Sequence, residues 1–284
     1  MVFVLFSIAV AAAFFVSSLL LLNFGRQLGL RYLRREGGSL AGLTTVESAI
    51  FALIGLLLAF TISGGLQRFD DRRQLVIQEA NAATVASDRI GLFEGEVARS
   101  LQSKLREYVR ARIELYRMPH DFSLLQQTEL FSTEQQDKII ELKKNLWDAA
   151  VAACPQNNYK PACSLTLPAL SNLFEVARLR AGASEKHPPQ VIYAMLFGLG
   201  LGGSLLAGFG MAAAKVRSWI HMVVFAATLT VTLYAVTDME YPRLGVLRIE
   251  NFDHFLIDAY KQMPSPRESV PIGVLPGEPE HQIN

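Results

Sequence analysis

Apolar positions in this chain follow two patterns. Four stretches, Val2–Gly25, Ser48–Gln67, Pro188–Ala214 and Ser218–Thr237, contain no Asp, Glu, Lys or Arg. Each is at least as long as the roughly 20 apolar residues a helix needs to cross a bilayer. Between the second and third stretch the pattern changes to a helical rhythm. Ala86, Ile90, Phe93, Val97, Leu101, Leu105, Val109 and Ile113 recur at steps of three and four, the signature of an amphipathic helix.

These patterns predict an all-α, polytopic membrane protein with four transmembrane helices. A helical extramembrane domain lies between helices two and three. The boundaries read as residues 1–66 for the first two spans and their basic loop, 67–189 for the extramembrane domain, and 190–237 for the last two spans. Residues 238–284 read as an amphipathic and disordered C-terminal tail. The first span reads as a retained helix and not a signal peptide, because no Lys or Arg precedes it and its apolar run is too long.

Within the extramembrane domain the rhythm predicts one long helix from Phe69 to Met118, with Gly91 and Gly95 as possible bends. A second helix is expected near Ser132, where Ser132-Thr133-Glu134-Gln135 has capping-box form. A third is expected from Pro168, a suitable first-turn residue, to about Arg180.

Charge sets an orientation. Loop 24–46 carries Arg26, Arg31, Arg34 and Arg35, and loop 214–217 carries Lys215 and Arg217. By the positive-inside rule both loops face the cytoplasm, which puts the middle domain outside. Cys154 and Cys163 are the two cysteines. A turn-like insert separates them, so they form a disulfide in an oxidising compartment or remain two thiols in a reducing one. No metal-ligand spacing surrounds them. The net charge of +1 marks no nucleic-acid binder. No nucleophile–base pair or phosphate-cradling loop is present, so the reading is not an enzyme, with no cofactor.

Candidate functional residues lie in the spans. Ser48, Ala52, Gly55, Ala59 and Ser63 form a small-residue seam on helix two. Ala194, Gly198 and Gly202 form another on helix three. Small side chains let helix backbones approach within lipid, either inside one protomer or between copies of a homo-oligomer. Ionisable groups inside membranes face a partner or water. Glu47 and His221 start helices two and four on the same membrane side, where they could meet or admit an ion. Asp238 ends helix four, with Pro242 and Arg243 in an exit turn and Arg243 within reach of Asp70 or Asp71. Thr228 and Thr232 read as bonding their own helix. Glu79 and Asn81 read as exposed polar residues.

Three blocks of residues carry a resemblance. They are Val46-Glu47-Ser48-Ala49-Ile50-Phe51-Ala52-Leu53 continuing through Arg68-Phe69-Asp70 and Arg72-Arg73 to Glu79-Ala80-Asn81-Ala82; Ala207-Gly208-Phe209-Gly210 with Arg217-Ser218-Trp219-Ile220-His221; and Asp238-Met239-Glu240-Tyr241-Pro242-Arg243-Leu244-Gly245. Together they resemble the bacterial bestrophin-like integral membrane family, a domain of unknown function. The resemblance implies a multi-pass protein of the bacterial inner (plasma) membrane. It also implies kinship to bestrophins, four-helix proteins that assemble as pentameric anion channels. The bestrophin pore-neck pattern and acidic calcium cluster are not recognisable here. Bestrophins keep the domain between helices two and three in the cytosol, whereas the basic loops here place it outside. Two functions follow: a homo-oligomeric ion channel or transporter, or an accessory membrane protein presenting its helical domain to a partner.

Overall fold

The structure is a computed structural model that describes residues 2–36, 41–117, 125–155, 159–185, 188–214, 218–240 and 254–264. All regular elements among them are helices: α1 Val2–Glu36, α2 Ala41–Ile90, α3 Gly95–Arg117, α4 Leu125–Ala153, α5 Lys160–Glu185, α6 Gln190–Gly210, α7 Trp219–Glu240 and α8 His254–Gln262. Among the described residues four segments are long and apolar enough to cross a membrane: Leu5–Arg34, Thr45–Ile90, Gln190–Ala213 and Trp219–Glu240. The first two helices run well past their charge-free cores. The expected loop at 24–46 is helical to Glu36, so Arg26, Arg31 and Arg34 ride on α1, and Arg34 stands in its last turn, where a cation complements the helix dipole. Lys215, Arg217, Pro242 and Arg243 lie outside the described residues.

The chain forms two compact units. One gathers α1, α2 up to Val76, the end of α5 from Arg178, α6 and α7; the other gathers α2 from Ile77, α3, α4 from Ser132, α5 up to Ala177, and α8. In the membrane unit α1 buries a single stripe, Phe14, Ser18, Leu22, Gly25 and Gly29. The steps of four, four, three and four residues keep it on one face. This stripe meets α6 at backbone distance. A methyl group on Gly208 would strike the Leu22 carbonyl, and one on Gly25 would strike the Leu205 carbonyl. A Cβ on Gly29 would sit 2.6 Å from that of Ala212 and 2.7 Å from the Phe209 carbonyl oxygen. Towards the other end of the same stripe Phe14 fills the space above Gly200 and packs edge-on to Phe197 at 5.4 Å. Leu196, Leu233 and Val236 complete that cluster; Leu22, Met222 and Ala226 form the second.

The extramembrane unit corrects three helix boundaries. The expected rod from Phe69 to Met118 is broken into an antiparallel hairpin. The chain turns at Gly91–Glu94, and Gly95 adopts φ +61°, a conformation glycine reaches without steric penalty. The apolar stripe survives because both arms turn it inward: Ala86, Ile90, Phe93, Leu101, Leu105 and Val109 are all buried in one core. α4 begins at Leu125, so Ser132 lies inside it and not at its start. α5 begins at Lys160, with Pro161 in its first turn and Pro168 in its interior. Pro161 fits the first-turn rule, whereas Pro168, expected to start the helix, lies two turns inside it. Cys154 and Cys163 are disulfide-bonded across a Cα separation of 5.8 Å, linking the residue after α4 to the first turns of α5.

Polar bonds fasten the hairpin. Gln102 donates from Nε2 to the Ser87 carbonyl at 2.7 Å, and Ser87 Oγ donates to Gln102 Oε1 at 3.1 Å. Further along, Arg112 Nε donates to Glu79 Oε1 at 2.8 Å, and its Nη2 donates to the Tyr116 hydroxyl and, at 2.9 Å, to the Ala177 carbonyl on α5. Tyr116 donates in turn to Glu79 Oε2 at 3.2 Å. Glu79 is therefore no exposed polar residue: it is 1% accessible, while Asn81 is exposed. Burial alone would lower the Arg112 pKa, but the Glu79 carboxylate reverses this and raises it. Burial pushes the nearby Tyr108 phenol up to about 12 against the pull of Arg112.

The amphipathic part of the tail is α8, whose Leu256 and Ala259, with Met263 just beyond it, join this core. Arg106 on α3 caps its C-terminal end, donating to the carbonyls of Tyr260 at 3.1 Å and Met263 at 2.5 Å. Residues 265–284, expected to be disordered, lie outside the described residues.

Candidate functional site in the membrane helices

The small-residue seam of α2 faces outward. Ser48, Ala52, Gly55, Ala59 and Ser63 are all exposed in the single chain. Ala194, Gly198 and Gly202 of α6 are exposed likewise. No atom lies within 4 Å of a Cβ built on Gly55, Gly198 or Gly202. Close packing within one chain is therefore not found at these three glycines. It falls instead on Gly200, Gly203 and Gly208 of α6, which the turn of 100° per residue carries to another side of the helix. Small residues occur on both sides of α6, so composition alone cannot say which side is covered.

The ends of α2 are held by polar groups. Glu47 reaches α6, its Oε2 lying 2.5 Å from where a Cβ on Gly210 would stand. The proposed meeting of Glu47 with His221 does not occur. His221 is exposed, and its Nδ1 hydrogen-bonds the Ser218 hydroxyl at 2.5 Å, just before α7 begins. Asp238 is buried and hydrogen-bonded to Tyr234 one turn earlier. Thr228 and Thr232 donate to the carbonyls four residues back, at 2.9 and 2.8 Å. Asp70 lies 4.0 Å from Arg73.

The strongest polar cluster of the membrane unit is one that the residue pattern did not single out. Glu240, the last residue of α7, is completely buried. Arg68 donates to its Oε1 from Nε at 2.8 Å and also from Nη2. Arg72, one turn further along α2, donates from Nη1 to the Glu240 carbonyl at 3.2 Å and from Nε to the Ala183 carbonyl of α5 at 3.0 Å. Its Nη2 lies 3.9 Å from Glu240 Oε2. Arg72 thus caps the C-terminal ends of two helices, where a cation is favoured by the dipole. Taking these charges out of water is expensive, and only their mutual pairing offsets it. A legible signal existed in the spacing: Arg68 and Arg72 stand four apart on a continuing helix, hence on one face.

A family model for the bestrophin-like domain matches residues 12–251. The chain belongs to the bestrophin-like family. Among curated proteins, none matches it by sequence. The fold is that of solved bacterial relatives. A bacterial bestrophin homologue from Klebsiella pneumoniae superposes with a TM-score of 0.62 at 15% identity, over 88% of this chain and 99% of that one. A tryptophan-to-alanine variant of the same homologue gives a TM-score of 0.63 at 13% identity, over 89% and 98%. In this bestrophin-like chain the Arg68, Arg72 and Glu240 cluster falls within the matched region.

Proposed function

We propose that this bestrophin-like protein is a homo-oligomeric ion channel. In this reading the small-residue faces of α2 and α6 meet neighbouring copies or border the ion path. The observation that carries it is that these faces are uncovered in the single chain although they lack the large apolar side chains that suit a lipid contact. Leu53 and Phe60, by contrast, are 56% and 68% exposed and suit acyl chains. Small surfaces gain affinity in a bilayer through close backbone packing, which a second copy supplies. Kinship to bestrophins, which assemble as pentameric channels, supports an ion as the permeant species. Glu47, His221 and Asp238 remain candidates for contact with that ion at the two ends of the spans.

The test is ion flux from liposomes holding purified protein, with the mass of the assembly measured in detergent. Gly55→Leu and Gly202→Leu should each insert with the single-chain fold intact, because a Cβ at either position meets open space. Overpacking of the contact between copies, about 1–3 kcal/mol for each interface, should release monomers and abolish flux. A wild type that is monomeric and silent would favour the accessory reading instead. That alternative draws on the exposed apolar residues Ile140, Val151 and Leu165 of the helical domain, a surface suited to a protein partner.

We further infer a bacterial inner-membrane location with the middle domain on the periplasmic side. The arginines at the end of α1 and the Cys154–Cys163 bridge support this. Thiol alkylation of denatured, non-reduced protein from freshly isolated membranes should leave both cysteines unlabelled. Labelling of both would place the domain in the cytosol, as in bestrophins.

A further inference from the structure

We propose that Arg68, Arg72 and Glu240 are positioning residues that fix the rotation of α2 about its own axis, and so decide which face it presents to other copies. The inference rests on the channel reading for its consequence, but not for its geometry. At its start the membrane half of α2 is also touched through Glu47, which reaches α6 at Gly210; its buried line is short. Between Thr45 and Val76 only four positions are buried: Ile54, Gly65, Arg72 and Val76. They are spaced eleven, seven and four residues apart, whole numbers of helical turns within a fraction of a residue. They therefore mark one inward line. The seam from Ser48 to Ser63 runs along the opposite side.

Along the bilayer part of that inward line the grip is apolar. It comprises Ile54, whose Cδ1 lies 3.3 Å from a Cβ built on Gly203, the edge contact of Phe51 with Phe225 at 6.1 Å, and Leu58 and Ile62, half-buried against the cluster of Phe14, Leu196, Leu233 and Val236. A smooth apolar contact of this size resists sliding and rotation weakly, because dispersion between two apolar surfaces is non-directional. Directional restraint comes from the charges. Arg68 and Arg72 each present a planar guanidinium with fixed donor directions, and their acceptors are an immobile helix end and a fully buried carboxylate. Gly65 lies beside this arrangement: a Cβ there would stand at ordinary contact distance, 3.6 Å from Glu240 Oε1 and 4.0 Å from the Met239 side chain. Rotation of α2 by one residue would carry both guanidinium groups out of reach and strand Glu240 without a partner in a buried site.

The experiment uses full-length protein carrying the paired substitutions Ile54→Cys and Gly203→Cys, oxidised in the membrane, with flux and assembly measured in parallel. With Arg68, Arg72 and Glu240 intact, the two thiols should cross-link rapidly. Glu240→Gln should slow that cross-linking several-fold and depress flux while the protein stays inserted and assembled. The reversed pair, Arg68→Glu with Glu240→Arg, should restore both in large part. Unchanged cross-linking in Glu240→Gln overturns the proposal, whatever happens to flux. Should Glu240→Gln not insert, Glu240→Asp keeps the charge but withdraws it by one methylene and gives the same readout; failure of both to insert would assign the cluster to folding alone and also overturn it. Fast cross-linking in a protein that shows no flux would instead sink the channel reading and leave the positioning role to stand.

Discussion

Gly208→Ala and Gly25→Ala should each collapse the packing of α1 on α6. The added methyl in each case would meet the main chain of the other helix, the carbonyl of Leu22 or of Leu205. A main-chain carbonyl cannot swing away as a side chain can, so the two helices must separate along their shared length. Overpacking costs about 1–3 kcal/mol and occasionally more; these two belong at the upper end. The separation would also loosen Phe14 over Gly200 and expose Leu22. Thermal unfolding in detergent is the measurement. The same single methyl at Gly55 or Gly202, which meets no atom of its own chain, is the control and should leave the melting temperature of the monomer unmoved. Equal effects at Gly208 and Gly55 would contradict the assignment of the covered side of α6.

The second large effect is expected in the extramembrane unit, at Arg112. Arg112→Met removes three donors at once and takes from Glu79, 1% accessible, the guanidinium that pairs with it. Breaking a buried pair from one side typically costs about 3–5 kcal/mol. The double variant Glu79→Met with Arg112→Met should recover much of that loss, because no charge then remains to be desolvated. Urea unfolding of the two single variants and the double variant forms the cycle that separates pairing from burial. A double variant as unstable as the sum of the singles would show that Glu79 and Arg112 do not act as a pair. Tyr116→Phe, which removes one bond to each partner, should cost about 1 kcal/mol.

What could be read in the residues alone follows from local physics. A run such as Pro188–Ala214 without a charge has one low-energy environment, and a helix is the form that satisfies its backbone there. The four spans and the all-helical class therefore needed no tertiary information. The core of the extramembrane unit was also legible, since the recurrence from Ala86 to Ile113 marks a buried face whether the helix is straight or folded back. The family blocks, spread from Val46 to Gly245, carried the membership.

Tertiary structure decided the rest. Gly91 and Gly95 allow a bend or a reversal equally, and the hairpin was settled by what it gains: Glu79 on one arm finds Arg112 on the other. Glycines of α6 lie on both sides of that helix, and which side is covered depends on α1, some 180 residues earlier in sequence. Glu47 and His221 begin two helices at one membrane side, yet each is claimed by a nearer partner, Glu47 by α6 and His221 by Ser218. Glu240 stood out in the sequence only as part of a family block. Its importance comes from two arginines 172 and 168 residues away, and a contact of that kind exists only once the helices are placed, because it is made by distance in space and not by spacing along the chain.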